Sequence, residues 1–309
     1  MGRRRVFAAL ALVLMAVTGC AGAGGGQGGS SAFAADGKLR VVTSIYPVYE
    51  FTRAVGGDAI DLVNLVPPGT EPHDWEPSVG DIRTLNAARV FLYAGGGFEH
   101  WIDKVLASLD NRDLTVVETS AGFTWTDAAE PGGDGLDPHI WLDPAGAAHM
   151  VERIRDALAA ADPARAEAYR RNAEAYLQQL GALDREFASG LARCERRTFF
   201  TTHAAFGHLA RRYGLEQRAI MGLSPDAEPT PRALQAVVEA AREQGVRYIF
   251  FETLVSDRVA RVVADEIGAE TLVLNPFEGL TSEQIAAGED YLSVMRQNLA
   301  NLRLALGCR

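Results

Sequence analysis

Two stretches of the chain place a histidine in nearly the same frame: Glu71-Pro72-His73-Asp74-Trp75 and Asp137-Pro138-His139-Ile140-Trp141. Only six histidines occur in 309 residues, so the shared acid-Pro-His-x-Trp order calls for a chemical reading. Neutral imidazole is the commonest protein ligand for zinc, and three imidazoles form a well-known coordination set. Proline before each histidine fixes local backbone geometry. Glu71 and Asp137 stand where they could orient the distal ring nitrogens. A third histidine, His203, follows the apolar run RTFFTT. Positions 73, 139 and 203 match no local metal motif such as His-Glu-x-x-His, so these side chains can meet only through the fold. The other three, His100, His149 and His208, read as surface or packing residues.

The elements that would bring them together are legible. LRVVTSIY, AIDLVNLV, RVFLYAG and LTVVE read as strands in the first half, and RTFFTT, EQRAIM, RYIFF and TLVLN in the second. Helical stretches alternate with them, the pattern of parallel sheets covered on both faces. His73, His139 and His203 each come after a predicted strand, and ligands of open parallel sheets bind at strand ends. Between the halves, Asp162 and Pro163 open a helix with Tyr169, Ala173, Tyr176, Leu180, Leu183, Phe187 and Leu191 at intervals of three and four. The stripe predicts one amphipathic helix of about 30 residues, roughly 45 Å long, acting as a stiff spine that resists wide hinge closure.

The compartment follows from the first twenty residues. Arg3, Arg4 and Arg5 precede an apolar run to Val17 that is too short to span a bilayer and ends in Val17-Thr18-Gly19-Cys20, as an export signal would. That ending resembles the bacterial lipobox, which implies a lipidated Cys20 and a chain exported to the outer face of the cell membrane or the periplasm. The Gly/Ser-rich residues after it read as a flexible tether. The division expected is 1–19 signal, 20–37 tether, 38–161 first α/β lobe, 162–193 linking helix and 194–309 second α/β lobe. An apolar content of 48% and a charged content of 23% mark a globular chain. The net charge of -10 argues against nucleic acid and suits attraction of cations. Cys194 and Cys308 are the other two cysteines, and in an oxidising compartment they are expected to pair.

GTEPHDWEPSVGDIRTL, DPHIWLDP, THAAFGHLARRYGL, IFFETLVSDRVARVVADEIGAETLVLNPFEGL and YLSVMRQNLANL together resemble the zinc and manganese solute-binding proteins of bacterial ABC importers. The resemblance implies two α/β lobes with parallel sheets, one long rigid helix joining them, and a metal held in the interlobe cleft by His73, His139 and His203. It implies delivery of zinc to an ABC permease and its ATPase by a monomer that is not an enzyme, with a metallochaperone as a further partner. Two departures stand out. Many members carry an aspartate ligand after the last strand, where this chain has Asn275; the fourth position is left to water, Asn275, Glu252 or Glu71. Many zinc-specific members carry a His-rich loop before the second ligand, where this chain has the short acidic TWTDAAEPGGDG. Loss of an anionic oxygen ligand favours zinc over manganese. A manganese carrier, a metal-dependent surface adhesin and a zinc hydrolase are the alternatives, the last without a nucleophile elbow or zinc-protease motif to support it.

Overall fold

The computed structural model describes residues 33, 37–124, 136–225 and 229–309. The signal, the lipidation candidate Cys20, most of the tether and nearly all of TWTDAAEPGGDG lie outside these residues. All eight apolar runs read from the sequence are strands. The first sheet contains β1 (Leu39–Thr43), β2 (Ile60–Asn64), β3 (Val90–Tyr93) and β4 (Thr115–Glu118); the second contains β5 (Thr198–Thr201), β6 (Glu216–Ala219), β7 (Tyr248–Phe251) and β8 (Glu270–Val273). Every pairing is parallel, and the orders correspond: β2-β1-β3-β4 and β6-β5-β7-β8.

The two-residue period of a strand divides each sheet between two apolar layers. In the first lobe Val41, Val90 and Leu92 face a core shared with α1 (Tyr46–Gly56), whereas Val42 and Phe91 face Leu85 of α2 (Val79–Ala87) and Val105 of α3 (Ile102–Ser108). The second lobe repeats this. Phe199 and Phe250 face the shared core, and Phe200 and Ile249 face a second buried layer with Ala241, Val263 and Ala264. Burial on both faces is why the central strands β1, β3, β5 and β7 read as largely apolar runs, whereas the edge strand β6 (EQRA) does not.

One core is common to both lobes, and it follows the linking helices. After α4 (Pro144–Ala161) the chain enters α5 (Ala166–Gly190), which buries Tyr169, Ala173, Tyr176, Leu180, Leu183 and Phe187. Near its start Asn172 donates to the Val55 carbonyl of the first lobe at 2.9 Å. Near its end Phe187 stacks on Tyr213 of the second. The helix is shorter than the stripe suggests: 25 residues, or about 37 Å. Pro163–Arg165 form a separate 3-10 turn, and Asp162 accepts bonds from Arg165 and Tyr169 without capping the α-helix. The remaining helices are α6 (Gly207–Arg212), α7 (Pro231–Glu243), α8 (Arg258–Ile267), α9 (Ser282–Ala286) and α10 (Tyr291–Leu306). Cys194, beyond α5, is bonded to Cys308, beyond α10. No helix among the described residues is long and apolar enough to cross a membrane.

Candidate metal centre

Four chain segments end at one point between the lobes. The first leaves β2 through the Pro67-Pro68-Gly69 turn to His73, where Glu71 Oε2 accepts the His73 backbone N–H at 2.9 Å. The second carries His139, whose backbone N–H is accepted by Asp137 Oδ1 at 3.0 Å. The two acid-Pro-His frames therefore fold alike: the carboxylate closes a turn onto the amide two residues ahead. They differ at the ring. Asp137 Oδ1 also lies 2.8 Å from His139 Nδ1, whereas Glu71 holds the backbone of His73, not its ring as expected. The His73 ring instead packs on Phe98, 4.5 Å between centroids.

Two close backbone approaches place the His139 loop. A Cβ on Gly146 would fall 2.0 Å from the Ile140 carbonyl oxygen, and one on Gly207 would fall 2.7 Å from Asp137 Oδ2. Larger residues at either position would displace the loop.

The second lobe contributes the other two. His203 follows β5 directly, with its Nδ1 2.6 Å from Glu252 Oε1 at the end of the neighbouring β7. Thr201 and Gln217 donate to the His203 carbonyl. Beyond β8, Asn275 does not face the donors: its Oδ1 accepts the Phe277 N–H at 2.8 Å, and its backbone is bonded twice to Asn298. This turn sets Phe277 at φ 58° and directs the next residue, Glu278, into the centre. The sequence reading stopped at Asn275 and missed Glu278. Its only sequence signal was being the sole acid in LNPFEGL, and its direction depends on the turn.

His73, His139, His203 and Glu278 each offer one ligand atom, all within 4.8 Å of one another. Glu278 Oε1 lies 3.3, 3.0 and 3.4 Å from Nε2 of His73, His139 and His203. His73 and His139 Nε2 are 3.4 Å apart. Around a tetrahedral zinc with donors at about 2.0–2.1 Å, donors lie about 3.3–3.4 Å from each other, so the observed separations suit such an ion. At His139 and His203 the Nδ1 neighbours are carboxylates that accept, so Nδ1 carries a proton and, in the neutral ring, Nε2 is left to present its lone pair inward. His203 Nε2 is buried and makes no hydrogen bond. Asp137 and Glu252 thus orient rings, and among the described residues the donor group has four members.

Electrostatics match this arrangement. Burial opposes a charge on Glu278, but the neighbouring His73 charge and the close approach of the three imidazole Nε2 atoms hold its carboxyl well below the usual range. Burial likewise opposes protonation of His139, and Asp137 and Glu278 outweigh it and raise its pKa. His203 is raised well above its ordinary value: burial opposes, while Glu252 and Glu278 prevail. Both shifts favour the protonated imidazole beside an ionised carboxylate.

The remaining histidines stay apart. His100 is exposed near Glu76, His149 bonds the Ala121 carbonyl, and His208 is buried, with Nε2 2.9 Å from the Asp137 carbonyl. Two cavities of about 660 Å³ lie elsewhere. Neither is lined by any of the four donors, and a bare ion needs no such volume.

Two parallel-sheet lobes with a buried donor cluster between them define a metal-binding class, and comparison with known proteins gives it a family. Residues 41–305 match the family described as zinc-uptake complex component A, periplasmic, and the chain belongs to it. It is 41% identical to the zinc-binding lipoprotein AdcA of Streptococcus pneumoniae over 280 residues, covering 87% of this chain and 56% of that protein. The chain thus spans little more than half the length of AdcA. It covers 99% of the solved Zn(II)-bound ZnuA-like domain of AdcA, with 42% identity and a TM-score of 0.77. The high-affinity zinc uptake system protein ZnuA of Bacillus subtilis is 37% identical, with 87% of this chain and 88% of that protein covered. The laminin-binding protein Lmb of Streptococcus agalactiae, a bifunctional protein with adhesin and metal transporting activity, is 33% identical with a TM-score of 0.79, covering 87% of this chain and 99% of that one.

Proposed function

We propose that the chain is an extracytoplasmic solute-binding protein that captures zinc with His73, His139, His203 and Glu278 and delivers it to the permease of an ABC importer. The observation that supports this most is the convergence of three imidazole nitrogens and one carboxylate oxygen within 4.8 Å of one another, with Glu278 Oε1 3.0 to 3.4 Å from each nitrogen. Family membership and the zinc named for its relatives support it further. The site suits zinc over manganese because four donors complete a tetrahedron, whereas manganese favours octahedral oxygen-rich surroundings. Glu278 restores the anionic oxygen that Asn275 had seemed to remove, so the preference now rests on geometry and on the three imidazoles.

The same closure argues against a zinc hydrolase, whose metal keeps one position open for water. Likeness to Lmb does not separate transport from adhesion, since a fold hosts many functions; the buried four-donor site supports transport and carries no argument about surface contact. Export, anchoring through Cys20, and the lobe boundaries at 162 and 193 belong to this proposal. Elemental analysis and competition titration of the metal-free protein test it. One zinc per chain, bound far more tightly than manganese, is expected. Equal affinity for the two metals overturns the zinc reading.

A further inference from the structure

The segment that carries Glu278 comes from the second lobe, yet its backbone is tied to the first on both sides of that residue. Trp141, two residues after His139, donates its indole N–H to the Pro276 carbonyl at 2.8 Å. Gly69, in the turn before His73, donates its N–H to the Leu280 carbonyl at 2.9 Å. Each ligand loop of the first lobe thus holds one end of the Glu278 segment. Trp141 is itself fixed. Its side chain is fully buried, its ring packs on Phe98 and His139, and its carbonyl accepts the Tyr291 hydroxyl.

Phe277, between Pro276 and Glu278, is the sole non-glycine residue with positive φ among the described residues. A bulky residue adopts that conformation only where its surroundings enforce it. Here they are the Asn275 turn, the Tyr46 and Tyr291 rings against Phe277, and the indole bond. A negative φ at Phe277 is the less strained state of a non-glycine residue, and adopting it would change the direction of the residue that follows, Glu278.

We infer that Trp141 is a positioning residue: its N–H holds the Pro276 carbonyl so that Glu278 stays among the donors, and this bond sets how long the ion remains. The inference rests on the proposed role of Glu278 as a ligand. It is tested with W141F, which keeps an aromatic ring but removes the donor, in a cycle with E278A. Zinc release to a chelator is timed, and Co²⁺ reports coordination through its visible spectrum. Loss of one buried hydrogen bond should speed release about three- to tenfold, shift the Co²⁺ spectrum toward that of E278A, and have no effect in the E278A background. An effect of equal size in both backgrounds, or an unchanged spectrum and release rate, overturns the inference and leaves the ligand set standing. Unchanged zinc affinity in E278A overturns both. If W141F fails to fold, Y291F removes the hydroxyl anchoring the Trp141 carbonyl and should act in the same direction, with the same dependence on Glu278.

Discussion

The two lobes share a strand order but support their histidines by different routes. In the first, the acid on the His139 ring is Asp137, two residues away in the same loop. In the second it is Glu252, 49 residues from His203, within reach because β5 and β7 are paired with Thr201 beside Phe250. The chemistry is alike, a carboxylate on Nδ1, but one version is written locally and the other exists only once the sheet has formed. A local frame keeps its geometry wherever its loop goes. A frame built across a sheet couples the ligand to the stability of the lobe.

The strongest test of this comparison removes the rings. H139A and H203A should each reduce zinc affinity by about 10²–10³-fold, roughly an equal share of the binding free energy of a four-ligand site. Competition titration would show it, and a weak effect of either would remove that lobe from the site. Next come the acids: D137N and E252Q should each cost about 10–100-fold. Thermal melting separates them, since Glu252 also accepts from Thr202 across the sheet, and E252Q, which weakens that bond as well by removing the charge, should lower the apo-protein melting temperature more. If D137N is silent toward zinc, the local frame is merely packing.

A smaller, graded effect comes from pH. Zinc must displace protons from His139 and His203, whose raised pKa values keep them protonated above the ordinary range near 6.5. Affinity should therefore begin to fall from a higher pH than free histidine would give, by about tenfold per pH unit for each proton displaced. The metal-free fold should respond in the opposite sense. A raised pKa adds stability that is fully present below the unfolded value and is lost as pH rises through the folded one. Melting of the apo-protein across pH 6 to 9, beside the zinc form, checks both signs. Smallest of all, H149A should leave zinc affinity within about twofold, as expected for a residue away from the site.

The sequence showed the sheets well because strands buried on both faces must be apolar along their length. It showed His73, His139 and His203 because each follows such a run. It overstated α5, since the apolar stripe continues through Leu191 while the backbone begins with a 3-10 turn at Pro163 and leaves the helix at Gly190. It hid Glu278, which reaches the centre through a turn closed by the Asn275 side chain and a positive φ at Phe277, neither of which has a periodic signature. Glu252 was visible as a strand-end acid, but its partner was not, because strand order is decided by packing between distant segments.

The bond between Cys194 and Cys308 has a consequence outside binding and folding. It joins residues 114 apart in sequence and encloses nearly the whole second lobe. A single proteolytic cut anywhere between these positions therefore releases no fragment, because both pieces remain covalently attached. A nicked chain would migrate near full size without reductant and as two bands with it. In the extracytoplasmic setting proposed for this chain, where proteases are met and no synthesis machinery is at hand, that topology would keep Glu278 attached to the three histidines after a cut between His203 and Glu278.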